Sequence, residues 1–273
     1  MIYRTYKPCP PLSDFVELFW FHQGQDLPHT RERVLPNASM GLIINLHEDR
    51  FRIYNNRSFE PFTTIPGAIL AGAHSEYQII EAPNRTCLIG AHFKPGGGFA
   101  FLEPPVGEFH NASVSLELLW GVWAREMRER LLEEPTVEGR FQIFEEALLA
   151  QARRAAKPLE RRPAVCFALS QFQAGNSVAQ VTDSLGLSAR RFVQVFSDEV
   201  GLTPKLFCRV KRFQNALGLI QNGKVADWTD LALTCGYFDQ AHFNHDFRAF
   251  SGLNPTTYLA SRSEYPNHVP LLD

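Results

Sequence analysis

The sequence predicts an α+β protein with two domains: an N-terminal small β-barrel plus helices, and a C-terminal all-α domain in which a linker helix joins two helix-turn-helix units. Short β-rich segments separated by Pro, Gly and Asn clusters fill the first 110 residues. A pair of short helices occurs twice after residue 176, about fifty residues apart. Residues 1–150 hold 13 Lys+Arg and 19 Asp+Glu, whereas residues 151–273 hold 14 and 10. This charge asymmetry, −6 against +4, indicates two different tasks.

Composition places the chain among globular proteins. Of its 273 residues, 45% are hydrophobic and 21% charged, and no apolar run is long enough to span a bilayer. The N-terminus, M-I-Y-R-T-Y-K-P, lacks the apolar core of a secretory signal. The cysteines are scattered and odd in number, which argues for a reducing compartment and against a disulfide frame. We therefore expect a cytoplasmic protein without a membrane partner.

The first 110 residues contain several candidate strands. Gly41–Leu46, Phe51–Tyr54 and Thr86–Phe93 are β-rich and bounded by turn residues. The apolar run Asp14–Phe21 is compatible with either a strand or a helix. Several short strands without a helical period favour a small barrel or a sandwich.

The motif F-K-P-G-G-G-F at positions 93–99 is the most distinctive feature of this region. A tight strand-to-strand turn would need positive φ at two or three of its residues. The alternative is a glycine loop whose amides, with Lys94, hold an anion. The turn is favoured, because the helix and the spacing of a phosphate loop are missing.

Five histidines raise the question of a metal site. They do not occur at H-x-H spacing and no carboxylate follows at the usual interval, so we predict neither a metal nor a cofactor. These histidines are His22, His29, His47, His74 and His92. The candidate ligand-binding residues are Trp20, His92 and Lys94, although aromatic residues on strands are commonly ordinary core.

Two amphipathic helices are predicted next, over Leu116–Leu132 and about Val137–Ala152. Trp120 and Trp123 lie on one apolar stripe, which suits either a dimer interface or packing against the β domain. A basic, proline-bounded segment follows. The predicted domains are 1–155 with its helices in 116–152, a linker at 156–163, a helical domain at 164–262, and a tail at 263–273.

The repeated unit has helix start and stop signals at corresponding places. Ser177 and Ser188 can cap the two helices of the first copy, with Gly186 at the turn between them. Asp227 and Asp239 can cap those of the second copy, with Gly236 at its turn. Between the copies, G-L-T-P at positions 201–204 opens a basic amphipathic helix. Two short helices joined by a glycine turn are typical of a helix-turn-helix.

The second helix of each copy has an outer face suited to base edges. Arg190 suits guanine and Gln194 suits adenine. In the second copy Gln240, Asn244 and His245 are donors or acceptors, although the imidazole of His245 should give a weaker contact than arginine would. Caps and basic side chains suit phosphates, and the candidates are Ser188, Arg209, Arg212 and Arg248.

Residues from about 160 to 262 resemble the DNA-binding domain of the AraC/XylS family of bacterial transcription regulators. The resemblance rests on L-G-L-S at 185–188, G-L-T-P at 201–204, Arg212 and Ala216, and the signature from Gly236 to Tyr258. It implies two helix-turn-helix units in successive major grooves of double-stranded DNA. It also implies control of transcription, by contact with RNA polymerase or by occlusion.

The same resemblance implies a cupin-like N-terminal pocket for an unknown small-molecule effector. L-P-N at 35–37 and F-K-P-G-G at 93–97 are similar to runs in AraC-type regulators with a sensor domain of unassigned ligand. Helices between the sensor and the DNA-binding domain commonly carry dimer contacts in this family, so a homodimer is expected.

Three other classes compete with this interpretation. A cupin-like metalloenzyme would need a metal or a catalytic pair in residues 1–110, and the sequence has neither. A DNA-repair methyltransferase would need an activated thiolate, whereas Cys9 and Cys87 are isolated. A ligand-independent regulator whose N-terminal domain only dimerises remains compatible with the sequence. We predict that the protein is not an enzyme.

Overall fold

The computed structural model describes residues 2–25, 29–56, 60–155, 158–223 and 227–271. A β-rich N-terminal region is followed by a helical C-terminal region, so the predicted fold class is confirmed. The strands are β1 Ile2–Tyr6, β2 Val16–Gln25, β3 Arg31–Val34, β4 Gly41–Asn45, β5 Arg50–Tyr54, β6 Pro61–Pro66, β7 Ala68–Ala71, β8 Gln78–Glu81, β9 Arg85–Phe93, β10 Ser113–Ser115 and β11 His268–Leu271. The helices are α1 Leu116–Trp120, α2 Val122–Glu133, α3 Val137–Arg154, α4 Pro163–Gln173, α5 Val178–Leu185, α6 Ala189–Val200, α7 Pro204–Gln221, α8 Trp228–Thr234, α9 Gln240–Ser251 and α10 Pro255–Ser261.

The strands form two antiparallel sheets that are not closed into a barrel. One sheet has the strand order β1-β2-β9-β4-β7-β10 and the other has β11-β3-β8-β5-β6. Side chains alternate between the two faces of a strand, so Phe19 and Phe21 of β2 point to the same side, where both are buried. Phe19 packs against Phe144 of α3, with ring centroids 5.1 Å apart. The helices that follow the sheets therefore cover one face of the larger sheet.

The helix predicted over residues 116–132 is broken at Gly121. This residue has φ 62° and ψ −140°, a conformation that other residues rarely adopt, and it separates α1 from α2. Trp120 is buried and its Nε1 donates to the Phe101 carbonyl. Trp123 is exposed instead, with the Arg154 guanidinium 3.9 Å from its ring centre. The prediction of one continuous helix was therefore wrong at Gly121, whereas both tryptophans still line one surface pocket between α2 and α3.

The F-K-P-G-G-G motif connects β9 to a short 3-10 helix, Gly97–Phe101, rather than to another strand. Only Gly96 among its three glycines has positive φ, at 80°. A Cβ at Gly97 would overlap the Phe15 carbonyl, and one at Gly98 would lie 2.8 Å from the Met40 sulfur. The expected strand-to-strand turn is thus corrected: two of these glycines allow close packing, and one allows the left-handed backbone.

The C-terminal segment returns to the N-terminal region. β11 pairs antiparallel with β3, His268 standing opposite Val34, and Leu35 N–H donates to the Asn267 carbonyl at 2.8 Å. The prediction of a simple tail over 263–273 missed this strand, whose backbone groups satisfy the edge of β3. Gln214 of α7 donates to the Pro36 carbonyl at 2.7 Å, so the L-P-N run also holds the helical region.

A carboxylate of β3 strengthens this attachment. Glu32 lies 2.8 Å from His268 Nδ1 on one side and 2.8 Å from His29 Nε2 on the other. Burial by itself would raise the pKa of Glu32, but the hydrogen bonds and charges of His268 and His29 outweigh it and lower the pKa to about 2.

Loop 72–77 of the N-terminal region contacts the ends of both α6 and α9. Gly201, which ends α6, lies against Ala73 and Val106, and a Cβ on it would be 3.1 Å from that of Ala73. Gly252, which ends α9, lies against the Tyr77 ring, 2.7 Å from where its Cβ would be. Both glycines have positive φ, 89° and 70°. The same loop therefore touches the C-terminal ends of these two helices.

Glu199 of α6 is buried where this helix meets the linker and the 93–99 motif. Its Oε2 accepts the Arg162 backbone N–H at 3.3 Å, and the guanidinium groups of Arg161 and Arg162 lie 4.0 and 3.9 Å from the carboxylate. Burial raises the pKa of Glu199 to about 7, although the Arg162 amide and both guanidinium charges act to lower it.

This pKa predicts how a Glu199→Gln variant differs in stability from the wild type. A carboxyl group whose folded pKa is raised stabilises the fold below its unfolded pKa, and this contribution is lost as pH rises through about 7. Glutamine resembles the protonated form and does not titrate. We expect similar free energies of unfolding near pH 5 and a variant more stable by roughly 2 kcal/mol at pH 8. Urea unfolding from pH 5 to pH 8 measures the difference.

Glu48→Gln is the matched control, because Glu48 is a partly exposed carboxylate paired with Arg50. Its effect should stay small over the same pH range. If Glu199→Gln instead became less stable than the wild type as pH rises, the two arginines would dominate the environment of Glu199.

Candidate nucleic-acid interface

Two helix pairs, α5 with α6 and α8 with α9, form the repeated units. In the first unit Ser177 and Gln180 form a reciprocal capping box at α5, and Gly186 ends that helix with φ 63°. The Ser188 hydroxyl caps α6 by accepting the Arg191 N–H at 3.3 Å. The Thr182 hydroxyl donates a hydrogen bond to the Val178 carbonyl of the same helix at 2.7 Å. The predicted helix starts and turn of this unit are confirmed.

The second unit follows the same plan with two differences. Asp239 caps α9 by accepting the His242 N–H at 2.7 Å, and Gly236 has the predicted positive φ. Asp227 stands at the N-cap position of α8, but its side chain makes no capping hydrogen bond. The segment from the turn glycine to the cap of the next helix is also one residue longer, Gly236–Asp239 against Gly186–Ser188.

Helix α7 contributes one phenylalanine to the core of each unit. Phe207 packs on Phe196 of α6, with ring centroids 5.6 Å apart. Phe213 packs on Phe247 and Phe250 of α9, at 5.2 and 5.3 Å. Aromatic pairs of this kind contribute roughly 0.5–1.5 kcal/mol each beyond burial. A single helix therefore sets the positions of α6 and α9 relative to each other.

The outer face of α6 carries the two residues predicted to read bases. Arg190 and Gln194 are exposed, while Phe192 and Phe196 on the opposite side are buried. Gln194 Nε2 donates to Asp198 Oδ1 at 2.7 Å, which holds the amide along the helix. The structure thus brings these two predicted residues together on one accessible surface.

The outer face of α9 differs from the prediction at its first turn. Asn244 and His245 are exposed, the His245 side chain by 78%. Gln240 lies at the edge of this face, and its Oε1 accepts the Thr229 hydroxyl at 3.2 Å. Ala241, which the sequence analysis did not select, is exposed at the position that Arg190 has on α6. Alignment of the caps Ser188 and Asp239, 51 residues apart, would have found it.

Two of the predicted phosphate contacts have partners within the protein. Arg209 pairs with Asp246 of α9, with Nη2 and Oδ1 2.6 Å apart. The Asp246 carboxylate is buried, with 1% of the residue exposed. Arg212 donates to the Gly236 carbonyl at 3.0 Å and lies over the Tyr237 ring. Both arginines thereby attach α7 to the second unit. The sequence periodicity predicted that both arginines lie on the outer face of α7, but it did not reveal these partners.

The other two candidates, Ser188 and Arg248, lie at opposite ends of their helices. Ser188 is exposed at the start of α6, and Arg248 is exposed in the last turns of α9. Both therefore remain accessible to a phosphate.

The three ligand candidates fall in two places. Trp20 and His92 lie on the neighbouring strands β2 and β9, with ring centroids 5.8 Å apart and planes at 28°. Burial and the charge of His268 lower the pKa of His92. Gly90, opposite Trp20, leaves room for the indole ring. Lys94 lies beyond the end of β9, where its N–H donates to the Phe15 carbonyl.

Within the described residues, no three His, Cys, Asp or Glu side chains are grouped so that they could share a metal ion. No helix in that part of the chain is long and apolar enough to cross a membrane.

Comparison with known families assigns each region a match. Residues 181–261, which begin within α5 and include the rest of both units, match the model of a helix-turn-helix domain. Residues 4–115 match a domain of unknown function, DUF6597. The chain is also 22% identical over 243 residues to the transcriptional activator RhaS of Escherichia coli, covering 82% of this chain and 86% of RhaS. The helical domain is thus of the AraC type, and the chain is similar to a transcription regulator over most of its length. It is thus a DNA-binding regulator with a helix-turn-helix domain.

Two further similarities accompany this assignment. The regulator is 30% identical over 82 residues to a "Probable transcriptional regulator LumQ" of Photobacterium leiognathi, and the match spans 30% of this chain and 33% of LumQ. The crystal structure of ToxT from Vibrio cholerae superposes with a TM-score of 0.49 at 10% identity, covering 89% of this chain and 98% of that chain.

The pair formed by Arg209 and Asp246 predicts strong energetic coupling between α7 and α9. Arg209→Ala leaves a buried carboxylate without its ion-pair partner, which should destabilise the regulator by about 3 kcal/mol. The double variant Arg209→Ala/Asp246→Ala should lose less than the two single variants together. Urea unfolding at pH 7 measures this cycle. Arg212→Ala, which loses a hydrogen bond to a neutral carbonyl, serves as the control and should lower the free energy of unfolding by about 1 kcal/mol. Additive single effects would show that the pair is not coupled.

Proposed function

We propose that this regulator binds double-stranded DNA sequence-specifically, with α6 and α9 in successive major grooves on one side of the duplex. One observation carries the proposal: a single helix, α7, holds two helices whose exposed faces present side chains that suit base edges. An α-helix fits the major groove, where each base pair has a distinct pattern of donors and acceptors. Sites about 10 bp apart face the same side of the duplex.

In this proposal the first unit supplies most of the base specificity. Arg190 bonds to a guanine and Gln194 to an adenine, the pairings that their donor and acceptor geometry favours. In the second unit Asn244, His245 and Gln240 read bases. The last of these would exchange its contact with Thr229 for one with DNA.

Phosphate contacts position the two helices on the duplex. Ser188 and Arg248 are the principal candidates because they are exposed. Arg209 and Arg212 would use the guanidinium donors that remain beside their bonds to Asp246 and Gly236. The modest surplus of positive charge in residues 151–273 should make affinity sensitive to salt.

We further propose that a small molecule at the N-terminal region modulates DNA binding. Trp20, His92 and Lys94 are the candidate ligand residues. The β9 strand of His92 leads directly into the 93–99 motif, where Gly96 lies beside Glu199 of α6. A ligand that shifts this strand would therefore move the 93–99 motif and, through it, α6 of the first unit. Loop 72–77, which contacts the ends of both helices, would transmit the movement to α9.

The remaining assignments complete this proposal. The regulator would work as a cytoplasmic homodimer, in contact with RNA polymerase or by occluding a promoter, and without catalytic activity. Two outcomes would favour the alternatives. Stoichiometric iron, manganese or zinc in the purified protein would support a cupin-like metalloenzyme, and dimerisation with no effector response would support a regulator without a ligand.

Arg190→Ala tests the DNA-reading proposal. Bound fragments selected from genomic DNA at a stated salt concentration should yield a motif of two short boxes about 10 bp apart. On that site Arg190→Ala should lose about 1–3 kcal/mol of binding free energy, because a bidentate base contact is removed. Preference should disappear at one base pair, as measured by binding to sites with each substitution.

Arg191→Ala is the matched control, since Arg191 is the next residue on α6 and is also exposed but stands off the centre of its outer face. It should weaken all sites slightly and equally, mainly through lost charge. Equal weakening of all sites by Arg190→Ala would make Arg190 a phosphate contact. A selection without any motif would contradict the proposed function itself.

The effector proposal predicts a stabilising ligand. At a concentration 100 times its Kd, a molecule that binds only the folded state adds about 2.7 kcal/mol and raises the Tm. Thermal-shift screening of the full-length regulator against metabolites should find such a compound. Trp20→Ala should abolish the shift, whereas Trp123→Ala, in an exposed tryptophan of α2, should leave it intact. A shift unaffected by Trp20→Ala would place the ligand elsewhere.

A further inference from the structure

Phe238 is an exposed aromatic residue at the turn of the second unit. Its side chain is 86% exposed, the largest fraction for a large hydrophobic residue in the described part of the chain. The neighbouring Tyr237 is 3% exposed and packs on Phe243. Since Tyr237 already fills the core at this turn, packing does not require Phe238.

Comparison of the two units shows that Phe238 is an additional residue. The caps Ser177 and Asp227 are 50 residues apart, whereas Ser188 and Asp239 are 51 apart. The first turn has one residue, Leu187, between its glycine and the cap of α6. The second has Tyr237 and Phe238. Tyr237 corresponds to the partly buried Leu187, so Phe238 has no counterpart in the first unit.

The position of Phe238 places it at the end of α9 that would enter DNA first. It directly precedes the cap Asp239, and its N–H donates to His242 Nδ1 at 3.5 Å. In helix-turn-helix proteins the N-terminal residues of the second helix contact base edges. The adjacent Ala241 has only a methyl side chain, where α6 has Arg190, so the surface beside the phenyl ring is open to a base.

The chemistry of this surface favours an apolar group on the DNA. The C5-methyl of thymine is the one apolar group displayed in the major groove, and phenylalanine is among the side chains that contact it. Asn244 and His245, the polar residues of this face, do not supply an apolar contact.

We propose that Phe238 contacts the C5-methyl group of one thymine in the DNA box read by the second unit. The contact makes that unit specific for an A·T pair in one orientation, because the methyl group lies on the thymine side of the pair. This assignment rests on the proposed function, because it requires α9 to lie in a major groove.

Replacement of thymine by deoxyuridine removes this methyl group and leaves base pairing intact. We expect one thymine of the second box at which deoxyuridine lowers the affinity of the wild-type protein about three- to fourfold, the effect of one buried methyl group. Phe238→Ala should bind both forms of that site equally, and Phe238→Leu should keep part of the difference. Affinities are measured with the full-length protein on the selected site, one thymine at a time.

Leu233→Ala is the matched control, because Leu233 is an exposed apolar residue of α8, 55% exposed, that does not belong to the α9 turn. It should keep the full deoxyuridine effect. Equal thermal unfolding of all variants would show that binding differences do not come from folding.

Several results would overturn the assignment of Phe238. If Phe238→Ala weakened binding to every site equally, the ring would contact a sugar or a phosphate instead. Unchanged DNA binding with reduced transcription by RNA polymerase would make it a protein contact. A two-box motif without any Phe238-dependent deoxyuridine effect would refute this inference alone, whereas the absence of any selected motif would refute the proposed function together with it.

Discussion

The arrangement of the DNA-binding region depends on the packing of α7 against both repeated units. Phe207 joins the aromatic core of the first unit and Phe213 joins that of the second. Arg209 adds an ion pair to the buried Asp246, and Arg212 a hydrogen bond to the turn of the second unit. An α-helix is a stiff element with a fixed rise per residue. The distance between α6 and α9 therefore follows from the spacing of a few side chains on one helix.

The two units share a backbone plan but present different chemistry. The first exposes a guanidinium and an amide at the centre of its outer face. The second exposes Ala241 and His245 at the corresponding positions, and it adds Phe238 at its longer turn. Charge-assisted, bidentate bonds are stronger than contacts made by an imidazole or a phenyl ring. Affinity and specificity are consequently expected to be divided unequally between the two grooves.

The N-terminal region is attached to the helical region at several separate points. Strand β11 completes the sheet beside β3, Gln214 bonds to Pro36, and the buried Glu199 faces the linker arginines and Gly96. Loop 72–77 touches the ends of α6 and α9. Because packed interfaces change between discrete arrangements rather than deform continuously, a rearrangement in the sheets would alter these contacts together. This connection gives a physical route from the N-terminal region to the exposed faces of α6 and α9.

What the sequence determined by itself was local. Capping residues, left-handed glycines and the apolar period specified α5 to α9 and their exposed faces, because these signals act within one or two helical turns. The strand segments 41–46, 51–54 and 86–93 were identified because their β-rich composition and the turn residues beside them are also local signals. The tertiary structure alone decided the pairing of β11 with β3, the burial of Glu199, the partner of Arg209 and the break at Gly121. Those features join residues far apart in the chain or depend on a backbone angle, and neither is visible in a pattern of neighbouring residues.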